Sequence, residues 1–516
     1  MKYTPLYEQH ARDASTILNL KGFARAMHYR GHAVEHRATR EGVTLCDVSH
    51  MGELDFQGPD ALALVQRLIT NDAARLAIDQ ALYSVMCSAE GMVIDDLVCL
   101  RLAQDRFIWV VNVTKTDEDY EWAQRHARGM DVRVSNVSAD TALLALQGPE
   151  SREALQRITR ADLSALKYYW LAQTVVSTRR AEVPCIISRT GYTGERGYEI
   201  MVQRDLAPWV WDELLHVARP LGIMGHGVAA RESLRTEAGY LLNGNDMDGE
   251  TDPFEAGLGW VVKLDKDFIG REALARIKSR PLRRKMVGLE VDGASTVRYG
   301  CRIYARGKEI GKVTSGPLPA EIAGRNLGLG YVAAEYSMTG TEIEIDIRGR
   351  RNKARVVGIP FRTRRVRDEP MVRTFSPYEL RFSERHVWAR PQADANDAIM
   401  LGFTDFGQRE LGDILCLELP KVGDQVEKGA ALARGDSYRR AFELVSPITG
   451  EVVAVNDALA RHPSRINAYP YLAPGVLQLR VDSLDDCNAL MRFEEYADLT
   501  RRLRQYDAWT RELRTT

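Results

Sequence analysis

"SRTGYTGERGYEI", residues 188–200, places glycines at 191, 194 and 197 around Tyr192, Glu195 and Tyr198. Glycine admits backbone conformations and close approaches that other residues resist, so three at this spacing predict a tight turn. Such a turn brings backbone near a flat ligand, with an aromatic ring and a carboxylate beside it. A glutamate in that position pairs with a 2-amino-4-oxo ring through two hydrogen bonds. The stretch is not a phosphate-binding loop, because no GK[ST] follows and the glycine spacing differs. A glycine-rich hairpin with no ligand is the plainer reading, and pattern alone leaves both open.

Three further stretches carry chemistry-bearing residues. In "SAEGMVIDDLVCL", 88–100, a glycine turn leads into a strand with adjacent carboxylates. Neighbouring side chains on a strand point to opposite faces, so only one of Asp95 and Asp96 faces a given pocket. Set among Ile94, Leu97 and Val98, such acids lie where desolvation raises a pKa, a property suited to acid–base work; aspartates bonding backbone at a strand end are the bland alternative. "AARESLRTEAGYLLNGNDMD", 229–248, puts Arg231 and Arg235 one helical turn apart with Glu232 and Glu237 near them, in ion pairs or facing an anion. "CDVSHMGELDFQGPDA", 46–61, sets His50 beside Met51 at a strand start, where a lone histidine is usually structural. No HExxH, Cys/His cluster or G-x-S-x-G occurs, so no metal site or serine hydrolase is expected.

Composition sets the frame. The 516 residues exceed one ordinary core, and 45% apolar with 27% charged residues is the balance of a soluble globular protein. A net charge of −1 argues against nucleic acid or an anionic membrane as partner. The seven cysteines are scattered singly in apolar contexts, as expected of buried free thiols in a reducing, cytoplasmic setting. No signal-peptide core and no membrane-length apolar run is present.

Along the chain, residues 1–275 mix helices and strands: "DALALVQRLIT" has helical spacing, "FIWVVNV" and "ALLALQG" are strand runs, and "DLAPWVWDELLHVARPLG" is a helix stopped by Pro220 and Gly222. Residues 276–365 are short strands separated by glycines, which predicts a small β-barrel. A charged, proline-punctuated linker spans 366–373, and 374–516 forms a β-rich unit closed by a charged helix. The expected fold class is α+β.

These residues support a sharper reading. "CDVSHMGE", "LITND", "ALYSVMC", "GMVIDDLV", "LQGPES", "SRTGYTGERGYE", "LRTEAGYLLNGNDMD", "TDPFEAGLGWVVKLDKDFIGREAL" and "VTSG" occur in the order and separations of the glycine cleavage T-protein (aminomethyltransferase) family, which residues 3–364 resemble. The resemblance implies a three-subdomain cloverleaf around a tetrahydrofolate site. It places the catalytic carboxylate on Asp96. Folate contacts fall on Glu195, Tyr83, Met51, Asn112, Arg231, Tyr240 and Arg362, with Tyr192 in the glycine turn.

Residues 374–500 resemble the H-protein of the same system, through "LGFTDFGQRELGDILCLELPKVGDQVEKG", "SPITGEVVAVNDAL" and "RINAYPYLAPGVLQLRV". That implies a lipoyl-type barrel-sandwich domain. Counting back from Pro447, the lipoylated lysine of the family falls on Arg439, beside Tyr438, and no lysine follows Lys428. A guanidinium keeps its charge and is a poor acyl acceptor, so no covalent lipoate is expected. In the first region "GFARAMHY" and "NGND" depart from the family's pattern, at Phe23, Arg25, Ala26 and Asn243, with His50, Arg25, Tyr438 and Arg439 expected on the donor side. The leading expectation is a tetrahydrofolate-dependent one-carbon transferase, a demethylase or methylene transferase fed by a small methylated donor, with an oxidase or corrinoid protein as the partner such a donor implies. The alternatives are a glycine cleavage aminomethyltransferase with a relict H-like domain, and a folate-binding scaffold with a docking module.

Overall fold

Strand Val93–Ala103 alternates buried and half-buried residues along its first half, and that alternation sorts its side chains between two layers. Leu97 and Cys99 face a core with Leu54, Phe56, Leu64, Val65, Phe107 and Trp109, beneath helices Ala61–Leu68 and Thr116–His126. Val98, Leu100 and Leu102 face the other way, against Cys46, Leu143, Ala145 and Met201 of a second sheet. The first sheet is antiparallel and five-stranded, in the order Gln80–Cys87, Val93–Ala103, Arg106–Val111, Gly52–Gln57, Arg133–Asn136.

The second sheet has six strands, in the order Leu171–Ser177, Glu182–Ser188, Gly197–Gln203, Thr141–Gln147, Thr44–Asp47, Met224–Gly225. Its outer face carries Tyr198, Ile200 and Val202, packed on Trp211 and Leu214 of helix Ala207–Val217. That helix ends as expected: a short 3₁₀ turn, Arg219–Leu221, follows it, and Gly222 is left-handed. The inner face of strand Gly197–Gln203 presents Met201, and therefore Glu199, to the layer between the sheets.

Strands Arg284–Val291, Arg302–Ala305, Lys308–Leu318, Asn326–Ala333, Glu342–Ile347 and Arg350–Val357 close a barrel around Leu289, Ile303, Val313, Val332 and Ile345. These coordinates are a computed structural model describing residues 1–293, 295–362, 364, 366, 380–392, 397–411, 414–437, 441–461, 463, 465–468, 471, 475–500 and 502–503. Contacts divide the chain into two units, Met1–Asp368 and Glu369–Thr516.

In the second unit, a six-stranded sheet runs Arg381–Phe382, Val387–Pro391, Ala398–Phe403, Leu477–Arg480, Gly450–Val455, Gln425–Val426, and a three-stranded one pairs Ile414–Glu418, Ala431–Ser437 and Ala441–Val445. Both contribute to one core that includes Ile399, Leu401, Leu417, Leu432, Leu444, Val452 and Leu479. The hairpin Ala431–Val445 pairs down to Asp436 opposite Ala441. Tyr438 and Arg439 lie outside the described residues. Cysteines 46, 87, 99, 185 and 487 are buried as expected; Cys301 is half-buried, and Cys416, on the first strand of the three-stranded sheet, is exposed. No helix among the described residues is long and apolar enough to cross a membrane.

Candidate functional site

Alternation separates the two acids of "IDD" as expected. Asp96, half-buried, points into the layer between the sheets, where Tyr83 donates a hydrogen bond to its Oδ2 at 2.9 Å and Asn112 Nδ2 donates to its Oδ1 at 2.9 Å. Asp95, fully buried, points to the helix side and accepts from Asn112 N at 3.1 Å and Asn112 Nδ2 at 2.8 Å. Behind it lies the buried Asp119 of helix Thr116–His126; burial and then the Asp95 charge push its carboxyl up to about 10. Burial, then the Asp95 charge, pushes the Asp96 carboxyl up to about 7, against the hydrogen bonds from Tyr83 and Asn112. A carboxyl that titrates near neutrality can both accept and release a proton.

Aromatic rings line the same layer. Tyr192 stacks on Tyr240, with centroids 5.7 Å apart at 13°, and its hydroxyl is anchored on the Leu241 carbonyl. Arg231 lies over the Tyr192 ring at 5.4 Å and Arg364 over Tyr240 at 4.5 Å, both favourable cation–π placements. Tyr83 stacks on the exposed Trp260 at 5.9 Å. Arg231 Nη1 meets His50 Nε2 at 3.1 Å, and its other nitrogen approaches Met51 Sδ at 3.9 Å. Tyr83, Asp96, Asn112, Met51, His50, Arg231, Tyr192 and Tyr240 are thus brought together.

Glu195 is not among them. It is buried at 2% exposure, 3.1 Å from Arg40, in a network where Arg40 also holds Glu237 at 2.6 Å and His36 approaches Glu237 at 3.4 Å. Arg362 stands 3.9 Å from Glu195 on that same side. The left-handed Gly194 turns Glu195 inward before the strand begins. The carboxylate facing the aromatic layer is Glu199, which Thr190 holds through a short hydrogen bond. Burial raises its pKa, with Thr190 and then Arg231 opposing. Tyr169 and Arg364 also belong to this group and escaped the sequence reading. Glu199 was legible in principle: Tyr198 is the apolar-face residue of its strand, so the next carboxylate faces the opposite layer.

The glycines have a different task from the one expected. A Cβ on Gly191 or Gly197 would stand 2.2–2.3 Å from the amide of Gln147, and one on Gly194 would stand 2.6 Å from Ala238 Cβ. Gln147 fills this space and fastens the loop, accepting from Thr193 Oγ1 at 2.8 Å and donating to the Thr190 carbonyl at 3.3 Å. Arg235, one turn beyond Arg231, is likewise structural: it is buried between Asp246 at 2.8 Å, Glu232 at 2.8 Å and Ser315 Oγ at 2.8 Å. Among the described residues no group of His, Cys, Asp and Glu is placed to hold a metal ion.

The family of GCVT N-terminal domains matches residues 6–266, the glycine cleavage T-protein C-terminal barrel domain matches 284–362, and the glycine cleavage H-protein family matches 380–502. An aminomethyltransferase of Moorella thermoacetica is 44% identical over 363 residues, 70% of this chain and 98% of that protein. One from Desulfitobacterium hafniense is 42% identical over 358 residues, 69% of this chain and 97% of its own. The crystal structure of glycine cleavage system aminomethyltransferase T from Bartonella henselae matches with a TM-score of 0.66 at 31% identity, covering 71% of this chain and 99% of that one. The chain belongs to the aminomethyltransferase (glycine cleavage T-protein) family of tetrahydrofolate-dependent transferases, and it carries a glycine cleavage H-protein domain behind that region.

Proposed function

We propose that the chain transfers a one-carbon unit to tetrahydrofolate in the layer between its two sheets, and that the unit arrives from a donor not carried on its own H-like domain. The observation that carries the first part is the donor set: a half-buried carboxylate, Glu199, and a near-neutral carboxyl, Asp96, share one layer with stacked tyrosines and a guanidinium. That set fits a reduced pterin. Glu199 would hold the 2-amino-4-oxo edge, Tyr83, Tyr169, Tyr192 and Tyr240 would flank the rings, and Arg231 would meet the anionic tail. Tetrahydrofolate, when bound, supplies the nucleophilic amine that takes up the carbon. Asp96, oriented by Tyr83 and Asn112, holds or releases the proton at Oδ1 or Oδ2 and, when ionised, stabilises adjacent positive charge.

Two donors remain in view. The 42–44% identity with aminomethyltransferases favours an aminomethyl unit on a separate lipoylated carrier. The arginine at 25, together with the absence of lysine after 428, favours a small methylated donor. Single-turnover assays with ¹³C-labelled donors decide between them. Labelled methylene-tetrahydrofolate formed only with lipoylated H-protein in trans supports the first, and label transferred without any lipoyl protein supports the second. No transfer in either arm, with no shift in melting temperature on adding tetrahydrofolate, removes the proposal.

A further inference from the structure

On the donor side of the site, cations gather with Glu232 and Asp47 in electrostatic range but no acid in ion-pair contact among the described residues. Lys21 and Gly22, both at positive φ, form the two-residue turn of the hairpin Thr16–His28, which carries Arg25. Arg25, Arg231 and Lys21 lie within electrostatic range of one another and of His50. Burial and then Arg231 push the Arg25 guanidinium down to about 10. Among the described residues no carboxylate stands within ion-pair distance of Arg25, Arg231 or Lys21; Glu232, the nearest acid on the helix, is held by both Nε and Nη2 of Arg235 at 3.0 and 2.8 Å.

His50 adds a second, independent observation. Arginine can only donate, so His50 Nε2 accepts from Arg231 at 3.1 Å, and the ring proton sits on Nδ1. The residue is 4% exposed, and Nδ1 has no hydrogen-bond partner. Burial, then Arg25, Arg231 and Lys21, hold the imidazole well below its ordinary value, which keeps it neutral and Nδ1 a donor. A buried donor left unmatched is destabilising, and mutually repelling cations add to that. An anion relieves both.

We infer that Arg25, Lys21 and His50 form, beside Arg231, a seat for a carboxylate of the bound ligand. This rests on the tetrahydrofolate reading above. The carboxylate comes from one of two sources, the glutamyl tail of the folate or the one-carbon donor. Calorimetry on the full chain separates them, using the carboxylate-free 6-methyltetrahydropterin, tetrahydrofolate and tetrahydropteroyltriglutamate, and sarcosine as the donor probe. Arg25→Gln should leave 6-methyltetrahydropterin affinity unchanged. It should weaken roughly tenfold or more the binding of either the glutamyl forms or sarcosine, the scale of one charge-assisted hydrogen bond. Arg25→Lys should recover part of the loss. Should Arg25→Gln fail to fold, Lys21→Gln on the surface turn is the second variant, with the same expected selectivity. 6-Methyltetrahydropterin binding with every carboxylate ligand unaffected by both variants overturns the seat alone. Failure of the wild-type protein to bind 6-methyltetrahydropterin or tetrahydrofolate overturns the tetrahydrofolate reading instead.

Discussion

Glu195 and Glu199 stand four positions apart in one turn-and-strand segment, yet they face different surroundings: a network of arginines and a layer of tyrosines. Glu199→Gln should weaken tetrahydropteroate binding by at least about tenfold, because the amide cannot accept from both ring N–H groups. Glu195→Gln should leave that affinity nearly intact and lower the melting temperature, since it uncouples Arg40. Quenching of Trp260, exposed and stacked on Tyr83, offers the readout. At Asp96, removal of the acid by Asp96→Asn should slow turnover by about 10²- to 10⁴-fold with binding retained. A carboxyl raised to about 7 by burial and Asp95 is ionised only above that value, so activity needing the carboxylate rises with pH across it. Asp95→Asn removes one raising charge and should move that rise to lower pH; an unmoved profile contradicts the coupling. Glu199 and Tyr169 were missed, whereas Asp96, Tyr83, Tyr192, Tyr240 and Arg231 were legible as residue types at their positions. Which glutamate turns inward was not, because a single left-handed glycine decides it.

Among the elements, the loop 188–200 depends on Gln147, which belongs to strand Thr141–Gln147 across the sheet. Gly197→Ala should destabilise the protein by about 1–3 kcal/mol through overpacking on that amide. Gln147→Ala combined with it should cost less than the two single losses added, since the clash disappears with its partner; urea titration measures both. The barrel and the helix stop at Gly222 were readable from glycine and proline punctuation, which acts locally. The purpose of Gly191 and Gly197 was not readable, because the Gln147 amide they admit lies some forty to fifty residues away in the sequence. Sheet partnership of that range leaves no periodic trace.

For the whole molecule, Asp119 imposes a pH dependence on folding. Burial, then Asp95, pushes its carboxyl up to about 10, so the native state binds a proton that the unfolded state has lost by neutral pH. Stability should therefore fall as pH rises from about 5 to 9, by at most ~1.4 kcal/mol per pH unit for one such group. Asp119→Asn, which keeps a donor toward Asp95, should flatten that slope in melting curves taken across the range. Because contacts divide at residue 368, residues 1–368 expressed alone should fold and bind tetrahydrofolate. The full chain co-expressed with lipoate ligase should keep its unmodified mass, since residue 439 is arginine and no lysine follows 428. The exposed Cys416 sits opposite Asp436, two residues before Tyr438, with its Sγ 3.3 Å from the Asp436 amide nitrogen. A maleimide added to the native protein will reach this sulfur before the five buried ones, so a fluorophore can be installed at the base of the hairpin with no engineered cysteine. Its emission then reports in real time whether anything docks on that hairpin.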